Sequence, residues 1–266
     1  MMKRPVVSLE NCDAVYDFYE GYDAHMGRAR FAHALIGKVF KPDVSYLDAS
    51  TPELVRAAIE ESDVTILSSK HVNMNDPLHL VALGGLVGAL ESFAGSTVIP
   101  SKRPLFDLRI RRWIDDLGAI PTYRRKDFAG PDGALDDAAS AALAAANARL
   151  VDVCANLMRR GKNLAIFPES ERSAKIEGSD PSRVNPLKDG VARMYLHASD
   201  SVTIAIIPIG LCYRESSSML AKRRPAIVMG TPLRGPYTDS APLMADLAAA
   251  MQAAQSAAFD RLQANR

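Results

Sequence analysis

A histidine and an aspartate five residues apart are the side chains of this sequence best suited to proton transfer, His71 and Asp76. They follow Asp63-Val-Thr-Ile-Leu-Ser-Ser-Lys70, a short, apolar and partly β-branched segment that predicts a buried strand. We therefore expect His71 at the carboxyl end of a strand, with Asp76 as the N-cap of the next helix. An imidazole whose tautomer is fixed by a carboxylate presents its other nitrogen as a general base.

A second polar segment, Phe167-Pro-Glu-Ser-Glu-Arg-Ser173, also follows a short apolar segment, Asn163-Leu-Ala-Ile166. It places two glutamates and an arginine directly after a predicted strand. Ligands of open α/β sheets bind outside the carboxyl ends of the strands. Because polar segments follow two such strands, we expect them to contribute to one site.

Both segments resemble motifs of the glycerolipid acyltransferase family, which includes glycerol-3-phosphate and lysophosphatidic acid acyltransferases. His71-Val-Asn-Met-Asn-Asp76 matches the HxxxxD signature. Phe167-Pro-Glu169, with Arg172-Ser173, is similar to the FPEGTRS segment. The resemblance implies that His71 removes a proton from an acceptor hydroxyl, with Asp76 orienting the ring, as the hydroxyl attacks an acyl thioester.

Two further segments occur in the family's order. Gly118-Ala-Ile-Pro-Thr-Tyr-Arg124 resembles the second motif, in which Arg125 competes with Arg124 for the arginine position, and Ile206-Ile-Pro-Ile-Gly210 resembles the fourth. The similarity covers residues 65 to 215. It implies a donor that is acyl-CoA or an acyl carrier protein thioester, and a glycerol-phosphate or lysophospholipid-type acceptor, as in phospholipid biosynthesis.

The resemblance also supplies a set of substrate-binding candidates: Arg124, Glu169, Ser170, Arg172 and Ser173. Arg124 and Arg172 are the implied acceptor-binding pair, since guanidinium groups match phosphate oxygens in bidentate fashion. Glu169 is expected to orient the turn or an arginine. We expect no metal and no cofactor, and no cysteine is needed as a nucleophile.

One departure from the family pattern concerns the acceptor. Ser170-Glu171 stands where the family usually has Gly-Thr. A serine in a turn that needs a positive φ would be strained, and a glutamate facing the site would oppose a phosphate. Either Glu171 points outward or pairs with an arginine, or the acceptor is not the usual phosphorylated glycerol.

Two other functions remain open from the sequence. In a thioester or ester hydrolase, His71 would activate water and product would form without an acceptor. A catalytically weak lipid-binding protein of the same fold would tolerate His71→Ala without a change in phenotype.

Composition limits the other function classes. The 266 residues are 48% hydrophobic and 24% charged, with a net charge of +1, which argues against a nucleic-acid binder. Three widely spaced cysteines and the lack of an evident signal or membrane-spanning segment indicate a cytoplasmic protein. Residues 102–126 carry eight Lys and Arg against three Asp, a basic face for anionic headgroups, an acidic carrier or coenzyme phosphates.

Alternating strand and helix patterns predict an α/β fold, with a mainly parallel sheet flanked by helices in three layers. We divide the chain into an N-terminal helical portion, residues 1–60, and an acyltransferase domain, residues 61–266. Helices are expected over 105–117, 134–160 and 241–263, with a turn at 130–133. The basic amphipathic segment Arg28–Phe40 either packs on the core or lies on a membrane surface; a cleft with an apolar acyl tunnel is also expected.

Overall fold

The computed structural model describes residues 3–128, 134–214 and 224–264. In this part of the chain, eight strands form one sheet in the order β1-β7-β6-β2-β5-β3-β4, with β8 beside β6. In chain order the strands are β1 Asp43–Tyr46, β2 Val64–Ser69, β3 Thr97–Lys102, β4 Ala119–Thr122, β5 Asn163–Ile166, β6 Ile204–Cys212, β7 Ala226–Met229 and β8 Leu233–Arg234.

Five neighbouring strands, β6, β2, β5, β3 and β4, run parallel to one another. β7 and β8 pair antiparallel with β6, and β1 runs parallel to β7. The expected mainly parallel sheet is therefore confirmed. The carboxyl ends of the five parallel strands share one edge of the sheet, where ligand sites of such sheets form.

Eight α-helices surround the sheet in the described residues. They are α1 Cys12–Glu20, α2 Met26–Val39, α3 Thr51–Glu60, α4 Asp76–Leu86, α5 Arg111–Asp116, α6 Asp137–Arg159, α7 Gly190–Ala198 and α8 Ser240–Ala264. Short 3₁₀ turns occupy Gly88–Phe93, Arg103–Asp107, Arg125–Asp127 and Ser173–Lys175.

Successive strand residues point to opposite faces of the sheet, which creates two cores. Ile66 and Ile206 pack with apolar residues of α1, α6, α7 and α8. Their neighbours Leu67 and Ile207 pack with residues of α3 and α4 on the other face. Burial on both faces explains the continuous apolar runs of the parallel strands, and it confirms the three-layer arrangement.

Three sequence expectations need comment. The N-terminal portion is not helical throughout, because β1 lies within it and pairs with β7; the domain division itself stays a prediction. The helix expected over 105–117 is replaced by a 3₁₀ turn and the short α5. Leu108 and Ile110 are exposed, so a continuous helix would gain no burial from them. The turn expected at 130–133 lies outside the described residues.

Among the described residues, one helix, α6, is long and apolar enough by length and composition to cross a membrane. It packs against α1 and α7 and buries residues such as Leu150, Val153 and Cys154. Core helices of globular domains can be equally long and apolar, so the length and composition of α6 are weak evidence for a membrane span.

Helix α2 packs on α4 and α5, but not through the apolar stripe visible in its sequence. Its buried residues are Ala29 and Ala32, whereas Phe31, Leu35 and Val39 are exposed. The amphipathic helix thus lies against the core through its small side chains. Phe31, Leu35 and Val39 face outward, whereas Ile36 packs on the core beside α4.

Gly118, the first residue of the second motif segment, gives a test of this packing. Its φ is +85°, and a Cβ there would lie 1.7 Å from the carbonyl oxygen of Thr97. We expect Gly118→Ala to lower the free energy of unfolding by at least about 2 kcal/mol, measured by urea denaturation. Gly85→Ala is the matched control, because its Cβ would meet no atom within 4 Å and alanine favours the helix. Equal stability of the two variants would contradict the close approach at Gly118.

Candidate active site

The carboxylate of Asp76 is fully buried and accepts four hydrogen bonds. Its Oδ2 accepts from the backbone N–H groups of Val72 and Asn73 at 2.6 and 2.8 Å, and lies 2.8 Å from Nδ1 of His71. Its Oδ1 accepts from the hydroxyl of Tyr213 at 2.6 Å. A buried carboxylate is stable when its oxygens are paired in this way.

The expected capping role of Asp76 is wrong in detail. Asn75 is the N-cap of α4, and Asp76 is already in the first turn, followed by Pro77. The carboxylate bonds backward to loop amides rather than forward to helix amides. Both geometries satisfy unpaired N–H groups, but only the backward one closes the loop around His71.

The His71 ring is held on two sides. Its Nδ1 faces Asp76, and its plane stacks on Phe167 with ring centroids 4.4 Å apart and an interplanar angle of 28°. With an ionised Asp76, the proton sits on Nδ1 and the lone pair on Nε2. Nε2 has no hydrogen-bond partner among the described residues, and the side chain is 19% exposed. The ring can therefore accept a proton at Nε2 from a group bound at the sheet edge.

The backbone of the second segment is joined to the histidine loop. The N–H of Ser173 donates to the carbonyl of His71 at 2.8 Å. Ser170 has a φ of +61°, the left-handed conformation that favours glycine. The turn therefore does require a positive φ at the position where the family usually has glycine, and the serine is strained.

Beneath the loop lies a buried pair of charges, Lys70 and Glu169. Lys70 is 0% and Glu169 4% exposed, and their Nζ and Oε1 atoms are 4.0 Å apart. The Glu169 Oε2 accepts from Asn185 at 2.5 Å and from the Ser173 hydroxyl at 3.4 Å, and Lys70 donates to the carbonyl of Arg183. Burial lowers the pKa of Lys70 and raises the pKa of Glu169, while the opposite charge of each partner counteracts both shifts.

Four cations gather at the carboxyl ends of β3, β4 and β5: Lys102, Arg124, Arg172 and Lys175. Burial lowers the pKa of Lys102, and so do the nearby charges of Arg172, Arg124 and Lys175. Arg124 is paired with Asp127 at 2.7 and 2.9 Å. Arg172 has no carboxylate partner among the described residues. Cations this close repel one another, and Asp127 offsets only part of this repulsion, so the charge of the cluster would favour a nearby anion.

Glu171 does not leave an unpaired negative charge at the site. Its carboxylate is 51% exposed and lies 2.5 Å from the ammonium of Lys126. The hydrogen bond and charge of Lys126 lower the pKa of Glu171. Of the alternatives from the sequence, the outward, paired arrangement is the observed one, with a lysine in place of the expected arginine.

The structure thus brings together residues from both polar segments. The cation cluster includes Arg124 and Arg172. Arg125, the competing arginine, is exposed. Sequence reasoning missed Tyr213, Lys70 and Lys175, and it placed Lys102 only in the general basic face of residues 102–126. A local signal existed for Lys70, Lys102 and Tyr213, because each is a polar residue at or directly after the carboxyl end of a strand. Cys154 is buried, which raises its pKa to about 12, and it is no candidate nucleophile.

An apolar cavity lies behind the site, between α2, α4 and the sheet. Its lining includes Leu67, Leu80, Gly84, Phe93 and Ala165. It has room for about one water molecule, far less than an acyl chain fills. The expected acyl tunnel therefore stays a prediction.

The sequence was also compared with known proteins. A family model described as Acyltransferase matches residues 54–212, more than half of the 266 residues. The matched range includes the His71 loop, the cation cluster and the 167–173 segment. No curated protein matches the chain.

The strained turn predicts a stabilising substitution. Ser170→Gly removes a left-handed strain of about 1–2 kcal/mol and adds a smaller unfolded-state entropy cost, so the free energy of unfolding should rise by about 0.5–1 kcal/mol. Urea denaturation measures the change. Ser170→Ala, which keeps the Cβ, is the control and should give no gain. Equal effects of the two substitutions would show that the turn does not depend on φ.

Proposed function

This chain belongs to the acyltransferase family, and we propose that it transfers a fatty acyl group from a thioester to an acceptor hydroxyl. The proposed donor is acyl-CoA or an acyl carrier protein thioester. The proposed acceptor is of the glycerol-phosphate or lysophospholipid type, as in phospholipid biosynthesis. The observation that carries the proposal is the His71–Asp76 pair, in which no described residue bonds Nε2, at the sheet edge that also holds the cation cluster.

In the proposed mechanism, His71 Nε2 removes the proton of the acceptor hydroxyl as its oxygen attacks the thioester carbonyl. The carbon–sulfur bond then breaks, and the proton passes from the imidazolium to the leaving thiolate. The buried carboxylate of Asp76 supports the imidazolium through Nδ1. No acyl-enzyme intermediate is required, and neither is a metal or cofactor.

The anion-binding cluster supports a phosphorylated acceptor. Arg172 has no carboxylate partner among the described residues, and Lys102 and Lys175 add positive charge beside it. Glu171 is compensated by Lys126, so it does not oppose a phosphate. Arg124 shares its charge with Asp127, and we assign it a secondary role in acceptor binding.

We place the reaction in the cytoplasm, at the cytoplasmic face of a membrane.

The direct test is release of free thiol from palmitoyl-CoA by the purified protein, with and without added acceptors. The panel contains glycerol-3-phosphate, lysophosphatidic acid and an unphosphorylated lysolipid. Release that depends on a phosphorylated acceptor supports the proposal. Thiol release without any acceptor indicates a hydrolase. No thiol release with either CoA or carrier-protein donors contradicts acyl transfer.

Loss of the proposed base should abolish most turnover. We expect His71→Ala to lower kcat/KM about 10²–10⁴-fold and Asp76→Asn to have a similar effect, with little change in thermal unfolding for His71→Ala. His197→Ala is the matched control, because His197 also pairs with an aspartate, Asp152 at 3.2 Å, but on the exposed surface. Full activity of His71→Ala would exclude the mechanism.

The anion-binding cluster predicts effects on acceptor affinity. Arg172→Gln should raise the acceptor KM about 10- to 100-fold, since one charge-assisted hydrogen-bonding group is lost, while the donor KM stays the same. Arg125→Gln, an exposed neighbour of the cluster, is the control and should change neither constant. An unchanged acceptor KM in Arg172→Gln removes this residue from the site.

A further inference from the structure

Tyr213 is a donor to Asp76 that comes from outside the loop of residues 71–76. It directly follows β6, the parallel neighbour of β2, so the two loops start at the same edge of the sheet. The Tyr213 hydroxyl bonds Oδ1 of Asp76 at 2.6 Å, whereas His71 and the two loop amides use Oδ2. The proposed acyl transfer gives this phenol no role.

The direction of the bond between Tyr213 and Asp76 follows from the surroundings of the phenol. Burial and the charge of Asp76 raise the pKa of Tyr213 above its usual range. The Tyr213 ring also contacts the buried ring of His79, with centroids 5.8 Å apart. The phenol therefore keeps its proton at neutral pH and is the donor of the bond. Such a bond is strong because its acceptor is charged.

The hydroxyl of Tyr213 reaches the histidine through the carboxylate. Nδ1 of His71 and Oδ2 of Asp76 are 2.8 Å apart, so the two groups bind protons as a coupled pair. A hydrogen bond donated to a carboxylate stabilises its ionised form. Loss of the Tyr213 hydroxyl would therefore raise the proton affinity of the pair, whichever of the two groups holds the proton.

Other titratable side chains lie beside this pair and beside Tyr213. The charge of Asp76 acts on the buried Lys70, and Glu169 lies close to the backbone N–H of His71. Among the described residues the neighbours are Lys70 after β2, Glu169 in the 167–173 segment, His79 in α4, and Cys212 and Arg214 on either side of Tyr213. Tyr213→Phe keeps the ring and changes none of these charges, so a shifted titration would report the lost hydroxyl.

We propose that Tyr213 is a positioning residue whose hydroxyl holds Asp76 and lowers the proton affinity of the His71–Asp76 pair. The inference rests on the proposed function, in which this pair is the general base. A general base is most effective when its proton affinity matches the working pH. Without the phenol the pair would hold a proton to higher pH, and less of the protein would carry a free base near neutrality.

The kinetic test is the pH profile of kcat/KM for thiol release by Tyr213→Phe. We expect the acid limb to move up by about 0.5–1 pH unit, which lowers kcat/KM about 3- to 10-fold at a pH on that limb. Activity should return close to the wild-type value at alkaline pH, and the acceptor KM should stay the same. A purely structural role would lower kcat/KM at every pH and leave the limb in place, which would overturn the proposal.

Tyr237→Phe is the matched control, because the hydroxyl of Tyr237 also donates to an aspartate, Asp246 at 2.9 Å. This bond lies at the opposite edge of the sheet, since the preceding β8 pairs with the amino end of β6. The profile of Tyr237→Phe should match that of the wild type. An equal shift in both variants would mean that the effect is not specific to Asp76. Urea denaturation checks that both variants are folded.

An NMR titration of the His71 ring measures proton affinity without catalysis. The His71 signal is the one of five histidine signals that is absent from His71→Ala. Its midpoint should rise in Tyr213→Phe, and adding Tyr213→Phe to Asp76→Asn should cause no further shift, because the phenol acts through the carboxylate. An unmoved midpoint in Tyr213→Phe, or a further shift in the double variant, overturns the proposal.

Two further outcomes are separable. Biosynthetic replacement of tyrosine by 3-fluorotyrosine makes the phenol a stronger donor and should lower the His71 midpoint, so the inference is tested even when Tyr213→Phe is unstable; a raised or unmoved midpoint counts against it. Absence of thiol release by the wild type contradicts the proposed function alone, because the NMR titration still shows whether Tyr213 sets the proton affinity of the pair.

Discussion

The buried carboxylate of Asp76 is the constraint on which the site depends. A carboxylate removed from water is costly unless each oxygen is paired, and here one group satisfies two loop amides, an imidazole and a phenol. These donors come from the loop after β2 and from the end of β6. The same hydrogen bonds that stabilise the charge therefore fix the tautomer and position of His71, so its imidazole is positioned by the folding of the sheet itself.

The strand order separates His71 from the cation cluster. His71 follows β2, and the segment with Phe167 and Glu169 follows the adjacent β5, so the ring and its stacking partner are direct neighbours. The cations at the ends of β3 and β4 lie further along the same edge. The buried Lys70–Glu169 pair joins β2 to β5 under the loop, where a lone charge would be expensive but paired charges are tolerated. The His71 ring and the four cations therefore lie along one edge of the sheet.

Sequence reasoning works here where a signal is local. Strand β5 and the residues that follow it, and strand β2 with His71 and Asp76, were predictable because buried parallel strands read as short apolar runs followed by polar residues. The position of Tyr213 directly after β6 was a local signal of the same kind, but its bond to Asp76 was not predictable, because it joins positions 137 residues apart and no spacing encodes it. β1 was missed for a related reason: four half-buried residues at an edge of the sheet give almost no periodic signal. The turn at Ser170 shows the opposite case, since a local rule about φ correctly anticipated strain there.

The orientation of α2 follows from close packing rather than from amphipathicity. A Cβ added at Gly84 would lie 3.3 Å from Nδ1 of His33, which shows how closely α4 approaches α2. On its core side α2 presents the small Ala29 and Ala32 together with His33 and Ile36, whereas Phe31, Leu35 and Val39 are exposed. Hydrophobic burial alone would favour the reverse, at roughly 25 cal/mol per Å². The fold therefore leaves the apolar side chains of Phe31, Leu35 and Val39 exposed on the outer face of α2.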